Sequence, residues 1–302
     1  MVSIVEPAPG EPRRPQGPRD PGDAWVVADD GTRYWGRFGA AGLLAVDDER
    51  GVLLQQRVGW SHFGGTWGIP GGALHQGEAA ADGAMRESQE EAGVPDGSVR
   101  PLFTSVYDIG IWSYTTLVAV VEQPFEPEIT DPESVALEWV DAAGVSAREL
   151  HPGFAASWPD LQEAMSVRPV IVVDVANVMG ATPNRWWKDR AGAAVSVLSS
   201  LALLSREGIA AATLDLPGTT WFPRVVAVLE GEAKAATDVD GVDVARAAGA
   251  GDDEIVAAVE RAAAQVGAVV HVVTSDRELR GRVEALGART HGARWLSESH
   301  AL

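Results

Sequence analysis

The 302-residue sequence contains no cysteine. Disulfides and thiolate metal sites are thereby excluded, and any metal must be held by oxygen or histidine. No apolar run approaches the roughly 18–20 residues that span a bilayer, and the N-terminus lacks the basic-then-apolar pattern of a secretory signal. These absences set the expectation of a soluble, cytoplasmic protein with no membrane partner. Basic residues are also scarce: 24 Lys and Arg stand against 43 Asp and Glu, for a net charge of −19. That balance disfavours a non-specific grip on DNA through a basic surface. The deficit is uneven, with 10 basic against 26 acidic residues in 1–165 and 14 against 17 in 166–302. A polyanion therefore belongs with the second half.

What is present is apolar surface enough for two cores, since 46% of the residues are apolar and domains usually hold about 100–200 residues. Residues 1–22 are rich in Pro, Gly and charge without apolar periodicity and read as a disordered tail. Residues 23–166 carry short apolar runs: AAGLLAV (Ala40–Val46) and GVLLQQR (Gly51–Arg57) as a hairpin, then strands at Leu102–Tyr107, Tyr114–Val121 and VALEWV, with a helix at Trp158–Met165. Mixed short strands around one or two helices predict an α+β sandwich. In residues 167–302, continuous apolar strands at Pro169–Val173, Val225–Leu229 and Val269–Val273 alternate with Ala/Leu-rich helices at Gly192–Ser205, Ile255–Val266 and Leu279–Leu286. That alternation predicts an α/β domain whose parallel sheet is covered on both faces.

The stretch GIPGGALHQGEAAADGAMRESQEEAGV, Gly68 to Val94, crowds Glu87, Glu90 and Glu91 onto one predicted helix. At i, i+3 and i+4 these carboxylates converge on one patch, where like charges repel. A divalent cation resolves that repulsion, and an all-oxygen ligand set suits Mg²⁺ or Mn²⁺. Arg86, spaced four residues from both Asp82 and Glu90, is placed to bridge two carboxylates. Gly71 and Gly72 let the backbone turn and approach a metal or phosphate, and Gly93 supplies a left-handed helix stop. A solvated surface helix would need the charges but not these glycines.

Gly72, Glu78, Arg86, Glu87, Glu90, Glu91 and Gly93 satisfy G-x5-E-x7-R-E-x-x-E-E-x-G, a spacing met by chance about once in 10^8 positions. It resembles the signature of the Nudix hydrolases, preceded by a similar TWGIPGG lead-in; Ser88 stands where that family usually carries an aliphatic residue. The resemblance implies an α/β/α sandwich and metal-assisted hydrolysis of a nucleoside diphosphate derivative. Glu78, Arg86, Glu87, Glu90 and Glu91 would be the catalytic set, with Glu87, Glu90 and Glu91 as metal ligands. Gly71, Gly72, Arg57 and Glu138 would line the site. The general base is one of the three helix glutamates or a loop residue such as Glu138. Trp60, His62 and Trp67 flank the signature and could stack a base, although tryptophan more often serves as packing.

In the second half, PVIVVDVANVMG runs an apolar strand into Asp174 and Asn177; AGAGDDEIVAAV places Asp252 and Asp253 at a helix start; VVHVVTSDREL places Asp276 past another strand. Ligands of such sheets gather beyond the carboxyl ends of the strands, where clustered acids can hold divalent ions for phosphodiester cleavage. Helix capping is the competing explanation: Ser275 with Glu278 fits a capping box and Asp252 an N-cap. Residues 168–296 resemble the PIN-like nuclease superfamily, especially its NYN branch, and thus a Rossmann-like parallel sheet. The resemblance implies catalytic Asp174, Asp253 and Asp276, a metal set of Asp174, Asn177, Asp252, Asp253 and Asp276, and RNA as a partner; Glu230 stands where relatives carry another acid. NRWWKDR (Asn184–Arg190) could stack and neutralise a single strand. The functional expectation is a nucleotide pyrophosphohydrolase, with a homodimer as its assembly. The alternatives are an RNA-processing enzyme joining 5′-end hydrolysis to strand cutting, and a nucleotide-sensing module.

Overall fold

The computed structural model describes residues 3–7, 20–181 and 186–296. The chain divides into two compact units, Met1–Met165 and Ser166–Leu302, a division one residue ahead of the boundary expected from sequence. Among the described residues no helix is long and apolar enough to cross a membrane.

The first unit opens with a small antiparallel sheet of β1 (Ser3–Val5), β2 (Trp25–Val27) and β3 (Arg33–Trp35). Ser3–Val5 are therefore paired backbone, contrary to the expectation of disorder from residue 1; residues 8–19 lie outside the described part. Strand pairing needs only backbone donors and acceptors, which SIV supplies whatever its flanks contain. The expected hairpin is β4 (Ala40–Asp47) and β5 (Gly51–Arg57), antiparallel. Short β6 (Trp67–Gly68) pairs with β5, and β7 (Gly71–Ala73) pairs with β4. The helix α1 (Ala80–Ala92) follows, then β8 (Val99–Asp108), β9 (Ser113–Val121) and β10 (Ser134–Val140).

These strands order as β10-β5-β4-β9-β8, with β4 and β9 parallel and the other neighbours antiparallel. Ala40 through Val46 are all buried, as a central strand covered on both faces requires. The helix α1 packs on β4, β7 and β9. The last helix of the unit, α2 (Pro152–Ala164), buries Phe154, Trp158 and Leu161. It starts six residues before the expected Trp158, because Pro152 occupies the first helical position, where its missing N–H costs nothing.

In the second unit β11 (Arg168–Asp174) leads into α3 (Val175–Gly180) and α4 (Arg190–Glu207). A two-residue hairpin of β12 (Ile209–Ala210) and β13 (Thr220–Trp221) brackets α5 (Ala211–Leu214). Then come β14 (Arg224–Leu229), β15 (Asp243–Arg246), α6 (Gly251–Ala263), β16 (Ala268–Val273), α7 (Arg277–Glu284) and β17 (Arg289–His291). The sheet runs β15-β14-β11-β16-β17, and all four pairings are parallel. Val170, Val172, Val228 and Val272 form one core with Ile255 and Val259 of α6 and Leu279 and Val283 of α7. The intervening Ile171, Val173, Ala227 and Leu229 are equally buried, on the side that takes α4. Strand order reverses at β11, so a crevice opens where β11 and β16 end.

Candidate functional site

Glycine makes the first site possible by leaving room for carboxylates and backbone. A Cβ at Gly72 would lie 2.6 Å from Oε2 of Glu87, and one at Gly71 would lie 2.5 Å from the carbonyl oxygen of Ala41 in β4. Gly71 thus allows β7 to seat on β4, and Gly72 makes space for a glutamate, where the sequence had suggested approach of a metal or phosphate. Glu87 and Glu91 are buried on the inner face of α1, at 3% and 4% exposure, whereas the Glu90 side chain is 41% exposed. The three glutamates accordingly do not share one burial environment. Gly93 closes the helix at φ 62°, with its N–H donating to the carbonyl oxygen of Ser88. Ser88, the departure from the aliphatic pattern, is fully buried, and its Oγ donates to the Met85 carbonyl oxygen at 2.7 Å; the hydroxyl is satisfied within the helix.

Arg86 organises the acids. Its Nε and Nη2 donate to the two oxygens of Glu78 at 2.8 and 2.9 Å, its Nη1 to Glu87 at 2.6 Å and to Glu90 at 3.3 Å, and its Nη2 also to the Ala73 carbonyl oxygen at 3.0 Å. The expected Asp82 is not among these partners; Glu78, held by the His75 N–H at 2.9 Å, takes the forked pairing instead. That pairing pulls the Glu78 carboxyl down to about 2 and pushes the Arg86 guanidinium up.

Glu91 is held by other partners than Arg86. Its Oε2 accepts from the Gly71 N–H at 2.9 Å and from Gln55 Nε2 at 3.1 Å, and the same Nε2 donates to Ser134 Oγ at 2.7 Å. One oxygen each from Glu91, Asp131 and Glu133 lie within 4.8 Å of one another. Burial, followed by Glu87, Asp131 and Glu133, pushes the Glu91 carboxyl well above its ordinary value. Such crowding of acids is relieved by a proton or by a divalent cation. Gln55, Asp131 and Glu133 were not singled out from the sequence. The available signals were a glutamine pair closing an apolar strand and an acidic loop, TDPES, ahead of β10.

Glu138 is not brought to these carboxylates. It pairs across from Leu54, while Gln55, which reaches Glu91, pairs with Leu137; alternate strand residues point to opposite faces. Glu138 therefore lies on the far face, where it holds Arg148 at 2.6 Å, and that guanidinium stacks over Trp67 at 4.6 Å. Arg57 lies two residues beyond Gln55 on the same strand face, and its Nε donates to the His62 carbonyl oxygen at 3.1 Å. Trp67 is buried packing and Trp60 is exposed, while His62 sits edge-on to Trp25 at 5.4 Å.

In the second unit a cleft of about 560 Å³ is lined by Asp174, Asn177, Glu230, Asp252 and Asp276, among others. Asp174 closes β11 and is buried; it accepts from the Thr274 Oγ1 at 2.8 Å and the Asn177 N–H at 3.0 Å. Burial pushes its carboxyl up. Asn177 Oδ1 accepts from the Ser275 N–H at 2.9 Å, and Glu230 accepts from the Gly251 N–H at 3.0 Å. Of the adjacent aspartates Asp252 lines the cleft, whereas Asp253 is turned outward to Arg282 at 2.7 Å. The capping pattern also differs from expectation: Asp276, not Ser275, caps α7, accepting from the N–H groups of Glu278 and Leu279. The N-cap of α6 is Ala250 without a side-chain bond, so Asp252 has no capping duty. Of NRWWKDR, Asn184 and Arg185 lie outside the described residues, and Trp187 is 59% exposed.

Comparison with known proteins adds the following. The family model of the NUDIX domain matches residues 36–160. A protein of Mycobacterium tuberculosis named "Putative 8-oxo-dGTP diphosphatase 3" is 44% identical over 166 residues, covering 52% of this chain and 76% of that protein. A "Nucleoside triphosphate pyrophosphatase/Nudix hydrolase fusion protein" of Bifidobacterium longum is 40% identical over 148 residues, covering 46% of this chain and 30% of that protein. Among solved structures, a Nudix hydrolase from M. smegmatis, RenU, is 43% identical with a TM-score of 0.43, covering 47% of this chain and 94% of that one.

Proposed function

Because this chain belongs to the Nudix family, through residues 36–160, we propose that its first unit hydrolyses the diphosphate linkage of a nucleoside phosphate derivative with the aid of Mg²⁺ or Mn²⁺. The observation that carries this reading is the meeting of buried Glu91 with half-buried Asp131 and Glu133. An all-oxygen set suits those ions, and burial, followed by the neighbouring acids, pushes the Glu91 carboxyl up, a cost that a counter-charge would relieve. Glu91, Asp131, Glu133 and Glu87 would hold the ion. When bound, it supplies positive charge against the phosphate oxygens and acidifies water. The protein's own part is orientation: the Gly71 N–H and Gln55 fix Glu91, and Arg86 ties Glu87 to Glu78. In this reading one of Asp131 and Glu133, if not engaged by the ion, would take the proton of the attacking water, and Glu138, on the opposite strand face, would not.

The names of the relatives support a substrate class. A nucleoside triphosphate with an oxidised base, such as the 8-oxo-dGTP named for the M. tuberculosis relative, is the first choice, with nucleoside monophosphate as the product. Incubation of the full chain with 8-oxo-dGTP, ordinary nucleoside triphosphates and ADP-ribose, with Mg²⁺ or Mn²⁺, tests this by chromatography of the products. Absence of turnover across that panel would remove the reading.

A second activity is favoured by the cleft of the second unit. Its parallel sheet, with Asp174, Asn177, Glu230, Asp252 and Asp276 beyond the strand ends, supports a PIN/NYN-like, metal-dependent ribonuclease. Asp174→Asn should abolish cleavage of single-stranded RNA; unchanged products with that variant would remove this activity from the cleft.

A further inference from the structure

Beside the acidic cleft of the second unit lies another cavity, of about 650 Å³, whose walls include Thr290, His291, Arg294 and Trp295. Ala181 and Ser275 line both cavities, so the two adjoin. The second differs in character from the first: its described lining residues include no carboxylate, and it presents aromatic rings.

Trp295 stacks on His291, with ring centroids 4.1 Å apart and planes inclined by 21°. His291 lies beside His271, with centroids 5.1 Å apart and planes inclined by 13°, and its Nε2 meets His271 Nδ1 at 2.8 Å. That in-plane pairing fixes His291, because His271 belongs to β16 and is buried. Burial holds His271 down at about 4 and lowers His291 as well, so both rings are uncharged at neutral pH. A neutral, rigid aromatic surface attracts another flat ring and offers no particular attraction to a free anion. Arg294, which is exposed, also lines this cavity.

From the abutment of these cavities we infer that Trp295 with His291, held from behind by His271, is a nucleobase subsite, seating a base of a nucleic acid strand whose phosphodiester lies over the Asp174–Asp276 cleft. This rests on the ribonuclease reading of that cleft for the role of the neighbouring phosphate, but not for binding of the base itself. A free mononucleotide offers the same base and phosphate chemistry, and the strand is favoured because two adjoining cavities accommodate more than one nucleotide.

The test is fluorescence anisotropy of the full chain with a 5′-labelled single-stranded RNA 10-mer, in Ca²⁺ to limit cleavage. Wild type is compared with Trp295→Leu, which keeps apolar bulk, and Trp295→Phe, which keeps a flat ring. Stacking on an aromatic side chain is worth a factor of roughly 5 to 100 in affinity. Trp295→Leu should weaken binding by that factor while melting like wild type, and Trp295→Phe should recover most of it. Unlabelled AMP should compete far more weakly than unlabelled 10-mer; AMP competing as well as the strand would overturn the strand as the occupant. Equal affinity of wild type and Trp295→Leu, or no binding by wild type, would overturn the subsite. The two readings fail separately. If Asp174→Asn abolishes cleavage while Trp295→Leu binds normally, the subsite fails and the nuclease stands. If Trp295-dependent binding occurs without cleavage in Mg²⁺ or Mn²⁺, the nuclease fails and the subsite stands.

Discussion

At the scale of single residues, the first site is a set of acids given different fates by their neighbours. Glu78 is a structural acid: the forked pairing with Arg86 holds its carboxyl at about 2 against an ordinary 4.5. A depressed carboxyl adds stability that is present above the unfolded value and disappears as pH falls through the folded one. Glu78→Gln should therefore lower the melting temperature at pH 6, and its deficit against wild type should close as pH is lowered from 4.5 towards 2. A deficit unchanged across that range would show that the ion pair is not its source. Glu91 is the opposite case, with its carboxyl pushed up by burial and by acids around it. The motif residues Glu78, Arg86, Glu87, Glu90 and Glu91 were legible because they lie on a local stretch with helical spacing. Gln55, Asp131 and Glu133 were not, since only the fold brings Gln55 to Glu91 of α1 and Ser134 of β10, 36 and 79 positions away.

At the scale of elements, apolar runs located the strands of six or more residues, most of them to within a residue or two. β5 matches its expected span, and β11 and β14 extend theirs by one residue or two. The two- to four-residue strands were missed, because so few side chains carry no readable period. The face of Glu138 was missed for a related reason: VALEWV reads as a strand, but which alternate set points to α1 depends on register with β5.

Helix starts separate structural from functional acids in the second unit. Asp276 caps α7 through two backbone bonds, so Asp276→Ala should cost about 1 kcal/mol in denaturant unfolding whether or not an ion binds. Asp252 caps nothing, and burial and the neighbouring Asp276, Glu230 and Asp253 raise its carboxyl. A raised carboxyl costs stability once pH exceeds the ordinary value. Asp252→Asn should accordingly leave metal-free stability at pH 7 unchanged or higher, while reducing the rise in melting temperature produced by Mn²⁺. Loss of metal-free stability in Asp252→Asn would assign that residue to the fold instead of the cleft.

At the scale of the whole molecule, the chain joins two compact units of different architecture: a mixed sheet with a carboxylate helix, and an all-parallel sheet with an acidic cleft at its switch point. The first gathers acids around α1, and the second around a cleft. The charge asymmetry was legible from composition, as was the division near residue 166. The aromatic cavity beside the second cleft was not, since His271, His291 and Trp295 are gathered only by the parallel pairing of β16 with β17.

The central claim is that the buried carboxylates of the first unit hold the cation on which hydrolysis depends. It is tested most directly by the rate of nucleoside monophosphate formation from 8-oxo-dGTP, comparing wild type with Glu91→Gln in Mg²⁺ and after chelation. Turnover by wild type only with the metal, and a fall of about 10²-fold or more in Glu91→Gln with its melting temperature retained, is the expected result. Turnover that survives chelation, or a Glu91→Gln rate equal to wild type, would contradict it.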